Sequence, residues 1–242
     1  MVRVGCSGWQ YRHWRGAFYP ADLPQAAWLA RYTSVFDTVE VDASFYRLPT
    51  EKAVAGWRER VPARFLFAMK ASRFLTHVKR LREPGPPLAL FWSRARLLGE
   101  KLGPVLYQLP PNLRRDDDRL ATFLAELPGE RQAIEFRHPS WYAPETYRAL
   151  ERARVALCLH DMPGSEPPRE RVGPFVYLRL HGAAEPYVGG YPHRVLAGWA
   201  RWLGALPRAV PAFVYFNNDA LGHAPRNAQT LRDLLRRRVR RI

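Results

Sequence analysis

The sequence is sparing with cysteine and lysine, and several common signatures are missing from it. Cysteine occurs only at Cys6 and Cys158, in apolar strand-like runs far apart in the chain. Buried free thiols are therefore expected ahead of a disulfide, a metal pair or a catalytic thiol at Cys6. No apolar run approaches the ~18–20 residues of a membrane span, and the chain enters a strand pattern at once (Val2–Cys6). Neither a transmembrane helix nor a signal peptide is expected, and the cytoplasm is the expected compartment. No G-x-G-x-x-G or G-x-x-x-x-G-K-[ST] follows a strand-like run, which counts against an open, doubly wound nucleotide-binding sheet. Compact metal spacings such as H-x-x-x-H and H-E-x-x-H are missing too. No linker, low-complexity tract or break in composition interrupts residues 1–242, which reads as a single domain.

What is abundant is arginine. The chain has 38 basic against 22 acidic residues, a net charge of +16, and its lysines are Lys52, Lys70, Lys79 and Lys101 alone. Removing the C-terminal run Arg236–Arg238, Arg240 and Arg241 still leaves +11, so the basicity belongs to the body of the protein. That excess suits an anionic partner, either a phosphate or carboxylate ligand or nucleic acid. An arginine-biased surface laced with ion pairs accounts for it equally well. At 47% hydrophobic the chain is globular, and its length matches the roughly 250 residues of one barrel of alternating strands and helices.

Eight strand-like runs alternate with helical patterns: Arg3–Cys6, Thr38–Val41, Phe65–Met69, Val105–Tyr107, Gln132–Phe136, Ala156–Leu159, Phe175–Leu180 and Ala212–Phe216. Their spacing averages roughly 30 residues, the size of one strand-helix unit. Helical stripes lie between them, for example Leu88, Phe91, Trp92, Ala95 and Leu98, or Leu196, Trp199, Trp202 and Leu203. Eight such units predict an α/β fold, a single (β/α)8 TIM-barrel-like domain with its site at the C-terminal strand ends.

Polar residues follow every strand-like run. The first leads to Ser7 and Trp9; the second carries Glu40 and Asp42, then Tyr46; the third ends at Lys70 and the fourth at Gln108. The fifth brings Glu135, Arg137, His138 and Trp141, the sixth His160 and Asp161, the seventh Arg179 and His181, and the eighth Asn217 and Asn218. In a parallel barrel all these ends open on one mouth. Glu135 and His181 are the candidates for proton transfer and Asp161 for orienting an imidazole, with Lys70 and Glu40 as further catalytic candidates. Arg137, Arg179 and Lys70 suit a clamp on negative charge. Trp9, Tyr46, Trp141, Tyr187 and Tyr191 are expected to wall the pocket. Gln108, His138, Asn217, Asn218 and Asn227 are expected to contact the ligand, with Val188-Gly189-Gly190 as a lid.

Several of these segments also resemble a family. G-C-S-G-W-Q-Y-x-x-W-x-G-x-F-Y-P, E-V-D-A-S-F-Y-R-L-P, E-F-R-H-P-S-W, L-R-L-H-G with Y-V-G-G-Y, and Y-F-N-N-D-A-x-G-H-A-P-R-N-A are similar to motifs of the YecE/DUF72 family. They occur in order from Gly5 to Asn227. The resemblance implies a TIM-barrel-like fold and a family without an established activity. One position departs from it: where the family pattern is E-x-N, this chain has Asp42.

Three functions fit these residues. The first is an enzyme acting on a small anionic substrate, its phosphate or carboxylate near Gly182, Gly189, Gly190 and the start of the last helix. The second is a nucleic-acid phosphodiesterase of the barrel DNA-repair endonuclease type, with divalent metal drawn from Glu40, Glu135, His138, His160, Asp161 and His181. The third is a barrel that binds an anionic metabolite or nucleic acid without catalysis. No cofactor is expected from the sequence, a divalent metal being the low-probability exception, and no membrane partner is expected.

Overall fold

The computed structural model describes residues 1–165, 167–182, 187 and 189–239. Val188, Arg240 and Arg241, named above, lie outside the described residues. The chain begins with β1 (Val2–Cys6), α1 (Trp28–Val35), β2 (Thr38–Val41) and the short α2 (Ala43–Tyr46). It continues through α3 (Glu51–Glu59), β3 (Leu66–Lys70), α4 (Gly85–Ala95), β4 (Leu102–Gln108) and α5 (Asp117–Ala125). Then come β5 (Gln132–Glu135), α6 (Pro144–Arg152), β6 (Ala156–Asp161), β7 (Val176–Leu180), α7 (His193–Gly204), β8 (Ala212–Phe216) and α8 (His223–Val239). All eight expected strands are present, with ends shifted by a few residues at most.

Local chemistry sets several boundaries. Thr50 caps α3 by accepting the amide of Ala53, and Asp116 caps α5 by accepting that of Arg119. Pro144 opens α6, where its missing N–H has no helical partner to lose. One expected helix does not form: among the described residues none lies between β6 and β7. That stretch holds Pro163, Pro167, Pro168 and Pro174, each of which removes a helical N–H donor.

The eight strands pair in parallel in the order β1-β8-β7-β6-β5-β4-β3-β2. The ring closes between β1 and β2 through an unusual seam. Instead of a full ladder, the Tyr32 hydroxyl of α1 accepts from the Cys6 amide (2.8 Å) and donates to the Thr38 carbonyl (3.1 Å). Farther along, Ser7 bridges to Glu40 and the Gly8 amide reaches the Glu40 carbonyl. Gly5 makes the approach possible, since a Cβ there would sit 2.2 Å from the Thr38 carbonyl oxygen.

Alternation along the strands sorts side chains into two layers. Val39, Val41, Phe67, Met69, Val105, Ile134, Leu157, Leu178, Val214 and Phe216 point outward and join the helices in the main core. Ala68, Leu106, Ala133, Ala156, Cys158, Phe175, Tyr177, Phe213 and Tyr215 form a second cluster inside the barrel. Both cysteines are free and buried. No helix among the described residues is long and apolar enough to cross a membrane.

Candidate functional site

Continuing the inward positions of each strand toward its C-terminal end leads from hydrocarbon to charge. Two residues beyond Tyr177 is Arg179, beyond Cys158 is His160, beyond Ala133 is Glu135, beyond Ala68 is Lys70, and beyond Thr38 is Glu40. A further step of two adds Asp42, Arg137 and His181. The polar groups seen one by one in the sequence are thus stacked layers of one interior.

Arg179, fully buried, is the centre of the lower layer. It donates through Nε (3.0 Å) and one amino nitrogen (2.9 Å) to the two oxygens of Glu40, and through the other to Glu135 (3.0 Å). Glu40 also accepts from Ser7 and Tyr177, both at 2.6 Å. Glu135 accepts in addition from Arg137 Nε and from the Cys158 thiol (3.6 Å). Burial by itself would raise the Glu135 carboxyl, but Arg137 and Arg179 override it and hold the group well below the usual carboxylate range. It is a permanent anion.

Arg137, Lys70, His181 and Asn217 make the upper layer, each at most 8% exposed. Lys70 donates to Asp42 (2.8 Å) and sits 4.1 Å above the Phe45 ring. Burial, with Arg179 nearby, pushes its amine below the ordinary lysine value. His181 is pushed well below the usual imidazole range by burial and by Arg179, so it is neutral. Its Nε2 faces the guanidinium donors of Arg137 (3.1 Å) and Arg179 (3.4 Å), and its Nδ1 lies 3.3 Å from the side-chain nitrogen of Asn217. The remaining nitrogen of Arg137 meets the thioether of Met162. His160, lowered to about 4 by burial, pairs through Nε2 with Ser165, while its buried Nδ1 has no partner among the described residues.

Tyr187 and Tyr46 remain near the opening, 47% and 76% exposed, the Tyr187 ring standing edge-on to His181 at 5.4 Å. Other expected ligand contacts lie elsewhere. Trp9 and Trp141 are buried in the outer apolar layer and do not wall the mouth. Trp9 packs edge-on against Trp57 at 5.4 Å, and Trp141 stacks on Phe136 at 4.7 Å while its indole N–H donates to the Leu113 carbonyl. The reason is area: a large ring beside a strand end gains more by joining the helix layer than by staying wet. Asp161 does not orient an imidazole; its carboxylate accepts the indole N–H of Trp199 (3.0 Å).

His138 caps the turn Pro139–Trp141 through the Ser140 amide. Gln108 lies opposite Glu135 in register, and its side chain makes no hydrogen bond among the described residues. Asn218 and Asn227 fasten the expected lid. Asn218 donates to the Gly189 carbonyl (2.8 Å) and to Asn227 (3.0 Å), and Asn227 accepts the Tyr191 amide (3.0 Å). Tyr191 is buried, its hydroxyl tying the Gly182 amide to the Asp161 carbonyl. Sequence reading missed Tyr177 and Met162. Tyr177 was open to discovery, since it shares the inward parity of Arg179 two residues on.

The pattern defining the family described as "Protein of unknown function DUF72" matches residues 3–242. The chain belongs to that family. Among relatives, the UPF0759 protein YunF of Bacillus subtilis is 25% identical over 270 residues, covering 97% of this chain and 95% of that protein. A DUF72 family protein of Thermotoga maritima superposes with a TM-score of 0.88 at 27% identity, over 98% of this chain and 99% of the other. A DUF72 family protein of Enterococcus faecalis gives 0.83 at 21% identity, over 98% and 96%. The barrel with flanking helices is thus the shape of these family structures, and this DUF72 chain keeps it nearly end to end.

Among the described residues no three His, Cys, Asp or Glu side chains converge as a metal-binding group. Glu40 and Glu135, the innermost carboxylates, spend their oxygens on guanidinium, hydroxyl and thiol donors. Among the described residues neither carboxylate has an oxygen without a donor.

Proposed function

We propose that this DUF72 protein is an enzyme that binds a small anionic substrate at the barrel mouth, its phosphate or carboxylate resting on Arg137. The observation that carries this reading is the company Arg137 keeps. Its Nε is paired with Glu135, but among the described residues its two amino nitrogens face only neutral acceptors, the His181 ring nitrogen and the Met162 sulfur. A guanidinium forms its strongest hydrogen bonds bidentately with anionic oxygens, and a thioether is a weak substitute for one. Three cations (Lys70, Arg137, Arg179) already meet three carboxylates (Glu40, Asp42, Glu135), so recognition rests on directional donors and not on surplus charge.

Within this reading the proton-transfer group is Lys70. Glu135 is pinned as an anion and His181 as a neutral ring, whereas Lys70 has a lowered affinity for its proton and a carboxylate, Asp42, within 2.8 Å. The Tyr187 ring stands edge-on to His181 at the opening. The metal-dependent phosphodiesterase reading has less support, because Glu40 and Glu135 are already held by arginines.

Thermal unfolding in inorganic phosphate, against chloride at equal ionic strength, tests the proposal. At ten times its dissociation constant a ligand adds about 1.4 kcal/mol, or roughly 3–6 °C for a domain of this size. Arg137→Gln is expected to abolish that increment. An increment that survives in Arg137→Gln would place the anion elsewhere.

A further inference from the structure

A cavity opens beside the barrel mouth. It encloses about 760 Å³ between α2, the segment after β3 and α4. That volume suits a drug-sized organic molecule and is far more than an inorganic anion needs. Its walls include Phe45, Tyr46, Phe74, Leu90 and Phe91, of which Tyr46, Phe74 and Leu90 are each more than half exposed. Exposed apolar side chains gathered round a concavity mark a ligand or partner site.

Three further observations point to a ligand continuous with the mouth. Phe45 belongs to both places: it lines the cavity and carries the Lys70 ammonium 4.1 Å above its ring. Arg73, also in the lining, forms no ion pair or hydrogen bond among the described residues and is close enough to act electrostatically on Tyr46 and His77. The floor segment is also strained. Phe74–Val78 is a π-helical turn, and Arg80, Leu81 and Glu83 all adopt left-handed backbone at φ 51°, 64° and 44°. Non-glycine residues hold such conformations at a cost of about 1–3 kcal/mol each and cluster at ligand sites and switches.

We infer that this cavity receives the apolar, aromatic-sized body of the substrate whose anionic head rests on Arg137. The ligand class is a small phosphate monoester or free carboxylate of a flat ring system, with Phe45 as the wall between head and body and Arg73 as a second contact for the head. The inference rests on the reading of the mouth given above. It adds that the head alone is a poor ligand.

Titration calorimetry with four probes tests it: inorganic phosphate, adenosine 5′-monophosphate, uncharged adenosine and a single-stranded oligonucleotide. The monophosphate is expected to bind at least about tenfold more tightly than phosphate, the gain available from one well-stacked ring. In a Phe74→Ala/Leu90→Gln variant, altered only at exposed side chains, that advantage falls to within about twofold while phosphate binding is unchanged. A monophosphate that binds no better than phosphate overturns the inference. So does an advantage that persists in the double variant. If adenosine and its monophosphate bind equally and the variant loses both, the cavity stands as a ring site and the mouth reading falls. If only a single-stranded oligonucleotide binds, the small-ligand assignment is overturned in favour of a polymer track.

Discussion

Removing Arg179 tests whether the barrel interior is held by one coupled ion network. Its guanidinium donates to Glu40 and Glu135, and Glu135 is shared with Arg137. In Arg179→Met the hydrocarbon is roughly conserved, but two fully buried carboxylates lose their common cation. Breaking one partner of a buried pair costs about 3–5 kcal/mol, which lowers the melting temperature by roughly 6–20 °C in a domain of this size. The cost has a pH signature. Carboxylates left in an apolar interior take up protons more readily than in the unfolded chain, so the deficit against wild type is full at pH 8 and shrinks toward pH 5. Replacing both partners, Arg179→Met with Glu40→Gln, removes one of the stranded charges and is expected to recover about 2 kcal/mol or more. Urea unfolding of wild type, Arg179→Met, Glu40→Gln and the double variant at the two pH values measures all of this. A deficit below about 1 kcal/mol, or a double variant no more stable than Arg179→Met alone, would refute the coupled-network account.

Two other outcomes follow from buried groups of the same barrel. His160 is held neutral, its affinity for a proton lowered to about 4 by burial, so the unfolded chain takes up that proton first as pH falls. Stability is full above about pH 6.5 and declines between 6.5 and 4; His160→Gln should lose about 2 kcal/mol less than wild type between pH 7 and 5 in paired denaturant titrations. Tyr32→Phe strips the hydroxyl from the β1–β2 seam and leaves the Cys6 amide without its acceptor. A loss of about 1–3 kcal/mol is expected, with faster hydrogen exchange at the Cys6 amide than at Tyr177 or Val214; unchanged Cys6 protection would show that the seam closes without the hydroxyl.

Much of the frame was readable from residue order alone. Apolar runs of three to six residues, separated by helical stripes and capping residues such as Thr50 and Asp116, are local signals, and local signals survive without an alignment. The position of the polar groups just beyond the strands was equally legible, because parallel strands send their C-terminal ends to one face. Even the inward parity, which joins Glu135 to Arg137 and Arg179 to His181, is a matter of counting by two.

What counting did not reach was decided by contacts distant in sequence. Glu40 and Arg179 are 139 positions apart, and only closure of the sheet makes them partners. That pairing, together with Arg137, turns Glu135 from a proton-transfer candidate into a fixed anion, since a carboxylate's chemistry depends on neighbours and solvent that residue order does not specify. Trp9 and Trp141 stand at strand ends like the true mouth residues, yet each turns into the helix layer, where available space decides. Beside the cavity the backbone is left-handed at Arg80, Leu81 and Glu83, residue types that favour no such conformation by themselves. Local periodicity therefore determined the barrel and the face that carries its polar groups. Tertiary packing decided which of those groups are ionised, which are buried, and where a ligand has room.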